Sequence, residues 1–127
     1  MGGGDGGTAR EVMRHPSVSR VDMVEIDEAV VRASKRFLPG VGDWDNPKLN
    51  VIIEDGIAFV KGIEEPYDVI IIDGSDPVGP AEGLFENEFM QACYEGLSDD
   101  GVLTAQTESP WVADYHPEHA AGLYGDG

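Results

Sequence analysis

Short apolar runs closed by turn residues alternate along the chain with longer stretches in which apolar positions recur every three or four residues. That alternation is the pattern of βα units feeding a parallel sheet. "AREVMRHP", residues 9 to 16, predicts a short helix stopped by Pro16, and "RVDMVEID", 20 to 27, a strand that ends in acid. "EAVVRASKRFL", 28 to 38, predicts a helix with Val30, Ala33, Ser34 and Phe37 on one face, broken by Pro39 and Gly40. "GVGDWDNPK" reads as loop, "LNVIIEDG" (49 to 56) as a second strand and "IAFVKGI" (57 to 63) as a short helix. "YDVIIIDGSD", 67 to 76, is apolar enough to predict a third strand covered on both faces. "ENEFMQACYEGL" (86 to 97) predicts a helix and "GVLTAQTES" (101 to 109) a fourth strand. From Pro110 onward no period is sustained, and the closing glycines read as a frayed end.

A chain of 127 residues holds one domain and one core. Eight basic residues against 25 acidic ones give a net charge of −17, which argues against nucleic acid and anionic membranes as partners and favours cations. A solubilising surface would account for the same charge, so the positions of the acids must decide. Cys93 is the single cysteine, which rules out an intrachain disulfide. No run is apolar over the ~20 residues a membrane helix needs. A soluble, cytoplasmic protein is expected.

The first seven residues, "MGGGDGG", contain Gly2, Gly4 and Gly7 in the spacing GxGxxG. Glycines so placed permit a tight turn, close approach of backbone to a ligand and close packing of the following helix. Glu25 ends the next strand eighteen residues after Gly7, where nucleoside-binding α/β units place a carboxylate on the ribose hydroxyls. Asp5, inside the loop, would repel a pyrophosphate at the helix start, so a cationic nucleoside such as a sulfonium suits the loop better than a dinucleotide.

"EDG" at 54 to 56 and "DGSDPVGP" at 73 to 80 also fall at strand ends, on the side where open α/β sheets bind ligands. Asp5, Glu25, Asp55, Asp73 and Asp76 are thereby expected around one cleft. Each segment alone is ordinary turn chemistry. Together, like charges at close range call for a compensating cation. A metal is one choice, but acids alternating with glycine and proline on separate loops better suit a flexible, multiply charged organic cation.

"GGGDGG", "VEID", "EDG" and "DGSDPVGPAEGLF", in this order and spacing, resemble the spermidine synthase (polyamine aminopropyltransferase) family from Gly2 to about Trp111. The resemblance implies a Rossmann-like, S-adenosylmethionine-methyltransferase-type α/β fold, a parallel sheet flanked by helices. It implies transfer of the aminopropyl group of decarboxylated S-adenosylmethionine to putrescine, giving spermidine and methylthioadenosine. Decarboxylated S-adenosylmethionine is a co-substrate, and no metal or other cofactor is called for. By the same resemblance Asp5 holds the aminopropyl ammonium, Glu25 the ribose, and Asp55 the adenine amino group with Gly56 beside it. Pro80 and Ala81 contribute to the adenine pocket, Asp73 is the catalytic base, and Asp76 and Gln106 help to hold the amine. Small-molecule substrates and, for the full-length protein, a homo-oligomer are expected.

Members of that family carry a strand running into the glycine loop and a small β-rich domain before it. The expectation is therefore that residues 1 to 127 form part of the catalytic domain, without that N-terminal domain, the final strands or the first central strand. That strand would lie between 21–26 and 68–73, and its loss would leave apolar edges unpaired. Gly74 stands where serine or cysteine is common in the family. Two alternatives remain: a methyltransferase of the same fold, and a segment without catalytic activity. His116 and His119, separated by Pro117 and without a third ligand, read as solvated loop, and Trp44 reads as a loop anchor. Trp111 could reach the cleft, and Cys93 beside Phe89 reads as core.

Overall fold

A computed structural model describes residues 1–73 and 82–105, of which 82–86 are described in backbone only. Pro80, Asp76, Ala81 and Gln106, and with them Trp111, His116 and His119, lie outside the described residues or side chains. The elements run α1 (Gly7–Met13), β1 (Val21–Glu25), α2 (Glu28–Phe37), β2 (Leu49–Ile53), α3 (Gly56–Lys61), β3 (Tyr67–Ile72), α4 (Glu82–Glu95) and β4 (Leu97–Ala105). Strands β1 and β2 pair in parallel with Val21 opposite Leu49 and Glu25 opposite Ile53. Strands β3 and β4 pair in parallel from Val69 opposite Val102 to Ile72 opposite Ala105. The fold is α/β, as the alternation of elements predicts.

Successive residues of a strand face opposite sides, so Met23 and Val24, both buried, show that β1 is covered on each face. Met23 packs with Ala9 and Met13 of α1 and Val31 of α2. On the other side α3 contacts β1, and Val60 of α3, Ile70 of β3, and Ala92 and Cys93 of α4 form a second cluster. Cys93 is wholly buried with Phe89 packed against its cluster, the core position its helix pattern predicts.

Acidic caps start two helices where strands have just ended. Asp27 accepts the Ala29 N–H at 2.9 Å at the head of α2, and Asp55 accepts the Ile57 N–H at 3.2 Å at the head of α3. Each such cap is worth about 1 kcal/mol. At the far end of α1, Lys48 Nζ donates to the Met13 carbonyl at 3.3 Å, a cation on the carbonyl end of a helix.

Three expectations need correction. On α2 Ser34 is buried as expected, together with Val31, while Val30 and Phe37 are 41 % and 69 % exposed and Ala33 is exposed too, because the helix turns its Val31–Ser34 side toward the cluster around Met23. Among the described residues nothing covers the second face of β3: Ile70 is buried under α3 and α4, but Val69 is 51 % exposed, and its partner Val102 likewise. Helix α4 begins at Glu82, ahead of the expected 86, and β4 already at Leu97, because its register skips past the polar "SDDG" segment between the Tyr67 and Val69 pairings.

The facing edges of β1 and β3 have no strand between them among the described residues. At their carboxyl ends Met1 and Gly2 bridge the gap. Gly2 N–H donates to the Val24 carbonyl at 2.9 Å, the Met1 amino group donates to the Ile71 carbonyl, and Asp73 N–H donates to the Met1 carbonyl at 2.8 Å. Gly2 thereby forms a parallel bridge to Asp73. This short segment brings the glycine loop to both strand ends at once.

Candidate functional site

The loop that follows Gly2 turns sharply and enters α1 through Gly6. Gly3 has a φ of +68°, a conformation that favours glycine, and a Cβ there would stand 3.2 Å from Asp73 Oδ2. Gly4 is buried, and a Cβ there would meet Glu25 Oε1 at 2.6 Å and Val30 Cγ1 at 2.9 Å. Two of the anticipated carboxylates, Glu25 and Asp73, thus press on adjacent glycines of one loop. Gly7 differs from its expected role: a Cβ there would find Asp5 Oδ1 and Val41 at 3.4 Å, an ordinary contact.

Asp5 is exposed, and its Oδ1 accepts the Gly7 N–H at 2.8 Å. Its first task is therefore local, holding the loop into the helix. Asp55 is likewise exposed while it caps α3, and Gly56 lies beside Met1, whose sulfur would be 3.4 Å from an added Cβ. Glu25 Oε2 accepts the Asp27 N–H at 3.3 Å, and the Glu54 N–H donates to the Glu25 carbonyl at 3.1 Å. Asp5, Glu25, Asp55 and Asp73 consequently sit in successive turns along one edge, at the carboxyl ends of β1, β2 and β3 and in the loop between them. Among the described residues no three of the His, Cys, Asp and Glu side chains are grouped to hold a metal ion.

Two contributors lie outside the sequence reading of the site. Thr8, in the first turn of α1, donates its hydroxyl to Asp73 Oδ2 at 2.6 Å. Its place just past the glycines was the available signal, since a first-turn side chain can face the strand end that the loop serves. Trp44 anchors a loop, as expected, but the loop it anchors matters to the site: its ring lies 2.9 Å from where a Gly6 Cβ would be and packs over Gly42. Lys35 Nζ stands 5.1 Å above that ring, which joins the core formed by α1 and α2. Arg10 completes the brace by donating to the Val41 carbonyl at 2.8 Å.

Residues 1–121 match the family model described as the spermine/spermidine synthase domain. The chain is 52 % identical over 113 residues to a polyamine aminopropyltransferase of Thermoanaerobacter sp. strain X514, an alignment covering 88 % of this chain and 41 % of the relative. It is 54 % identical over 111 residues to the polyamine aminopropyltransferase of Methanocaldococcus jannaschii, covering 87 % and 38 % respectively. The crystal structure of spermidine synthase from Thermotoga maritima superposes with a TM-score of 0.77 at 43 % identity, over 87 % of this chain and 37 % of that one. A spermidine synthase in complex with the transition-state analogue AdoDATO superposes with a TM-score of 0.75 at 40 % identity, over 87 % and 36 %. The chain spans about two-fifths of the length of the curated relatives it matches.

Proposed function

This chain belongs to the spermine/spermidine synthase family, and from that premise we propose that it carries the nucleoside-binding and proton-accepting part of a polyamine aminopropyltransferase. The observation that carries the reading is the close approach of Asp73 to Gly3 and of Glu25 to Gly4, which sets two carboxylates against adjacent glycines of one backbone loop. The substrates are decarboxylated S-adenosylmethionine and putrescine. Glu25 accepts hydrogen bonds from the ribose hydroxyls and Asp55 from the adenine amino group, with Gly56 beside it and Pro80 and Ala81 walling the base. Asp5 keeps a carboxylate oxygen for the aminopropyl ammonium beyond the one used on Gly7. Asp76 and Gln106 hold the amine.

Putrescine's attacking nitrogen is protonated at neutral pH and has no lone pair to give. Asp73 takes that proton, the freed pair attacks the methylene next to the sulfonium, and the carbon–sulfur bond breaks with its electrons passing to sulfur. Neutral methylthioadenosine leaves, the new secondary amine keeps its charge, and Asp73 returns its proton to solvent. The sulfonium is already an activated leaving group, so the chemistry calls for no metal or further cofactor. Holding amine and sulfonium in line can supply on the order of 7 to 11 kcal/mol of the barrier reduction. Among the described residues no helix is long and apolar enough to cross a membrane. The proposed action is on small molecules in the cytoplasm, in a homo-oligomer of the full-length protein.

Calorimetric titration with methylthioadenosine, followed by a transfer assay with decarboxylated S-adenosylmethionine and putrescine, tests this reading. Saturable nucleoside binding weakened about tenfold in Glu25→Gln, one charge-assisted hydrogen bond, and transfer abolished in Asp73→Asn are expected. Tighter binding of S-adenosylmethionine than of its decarboxylated form would point instead to a methyltransferase. Failure to bind any of the three nucleosides would overturn the proposal.

A further inference from the structure

Resting on the reading of Asp73 as the proton acceptor, we propose that Thr8 is the positioning residue that decides which oxygen of Asp73 does the accepting. The Thr8 hydroxyl donates to Oδ2 at 2.6 Å across 65 residues of sequence, within the short range of a hydroxyl bonded to a carboxylate. A threonine in a helix commonly turns its hydroxyl back to the carbonyl four residues earlier, which here is that of Gly4. Thr8 instead spends its proton on the end of β3, binding α1 to the strand that carries the base. The same oxygen faces Gly3, whose missing side chain leaves it the room to take this position. Among the described residues Oδ1 receives no hydrogen bond.

Without the tether Asp73 would be free to change rotamer about its Cα–Cβ bond, and its carboxylate torsion is broad and roughly two-fold, so either oxygen would be presented over a range of angles. With Oδ2 held, Oδ1 is the oxygen that meets the amine: the N–H bond breaks, its pair stays on nitrogen, and the proton arrives on Oδ1. Among the described residues no other side chain donates to Asp73. The arrangement couples the glycine loop to the base, since α1 both follows the loop and supplies the tether.

The test compares the wild-type chain with Thr8→Val, which keeps the branched shape and loses the donor, and Thr8→Ser, which restores the donor. NMR couplings across the Asp73 Cα–Cβ bond should report one rotamer in wild type and Thr8→Ser and averaging in Thr8→Val. In the transfer assay Thr8→Val should lose on the order of tenfold to a hundredfold in kcat, with KM for the sulfonium nucleoside within about twofold. Thr8→Ser should stay within about threefold of wild type. Should Thr8→Val fail to fold, the wild-type chain still decides: its Thr8 hydroxyl proton should be resolved, slow to exchange and close in space to the Asp73 β-protons. A single Asp73 rotamer or unchanged kcat in Thr8→Val, or a fast-exchanging Thr8 hydroxyl, would overturn the assignment. Rotamer averaging in Thr8→Val together with no transfer by wild type would uphold the tether and overturn the proposed activity instead.

Discussion

The phenol of Tyr67, the first residue of β3, donates its proton to the carboxylate of Asp22 on β1, spanning the gap between the two strand pairs at the end opposite the glycine loop. The Asp22 side chain is 1 % exposed and also accepts from Arg20, Nε at 2.9 Å and Nη2 at 2.5 Å, and from Asn50 at 3.3 Å. Met1 and Gly2 close the gap at one end and this cluster at the other.

Tyr67→Phe removes the phenolic donor while keeping the ring that packs near Phe59. A hydrogen bond to a charged, desolvated carboxylate is worth about 1.5–3 kcal/mol, so urea unfolding should show a loss in that range. An unchanged midpoint would mean that the Arg20 and Asn50 bonds suffice.

The same cluster sets two pH limits. Hydrogen bonds from Arg20 first, and then from Tyr67 and Asn50, hold the Asp22 carboxyl below its ordinary 3.8 despite its burial. A depressed carboxylate pKa contributes stability that is present above the unfolded value and disappears as pH falls through the folded one. Acid unfolding should therefore begin below about pH 4, and Arg20→Gln should move it to higher pH. Burial first, then Asp22, pushes Tyr67 from 10.0 up to about 12. That contribution is complete below pH 10 and declines as pH rises from 10 to about 12, a limb that Tyr67→Phe should abolish. Thermal melts across both ranges check the signs.

Alanine at the loop glycines should separate the positions that must be glycine from those that merely are. Gly4→Ala drives a methyl to 2.6 Å from Glu25 Oε1, so Glu25 must swing away, and methylthioadenosine affinity should fall by about tenfold, the loss of one charge-assisted hydrogen bond. Gly7→Ala meets its neighbours at 3.4 Å and should bind as wild type with stability equal or slightly higher. Calorimetry on both variants would refute the loop geometry if they behaved alike.

Cys93 is wholly buried, and burial pushes its thiol up to about 11. At pH 8 it should react with a thiol reagent only through opening of the α3–α4 core, orders of magnitude more slowly than in urea. Rapid labelling of the native chain would show that this core is not closed.

The positions of the candidate residues were legible because the signals for them are local. A glycine cluster before a helix, an acid at a strand end and an acid ahead of a helix each follow from the few residues around them, and Gly4, Glu25, Asp55 and Asp73 appear where those signals put them. The same locality hid the division of labour. Asp5 and Asp55 spend an oxygen on helix N–H groups, a turn role that the sequence could not separate from ligand binding. Helix α2 turned its Val31–Ser34 side toward the cluster around Met23, because the buried face of a helix depends on what packs against it.

By itself, the order of residues determined that strands and helices alternate, that acids fall at strand ends, and that glycines precede α1, since propensity, capping and periodicity act over a few residues. Only tertiary structure decided that Thr8 reaches Asp73, that Trp44 backs the glycine loop, and that Met1 and Gly2 bridge β1 and β3. Those contacts join residues tens of positions apart. They depend on how the elements pack in space, which no spacing along the chain encodes.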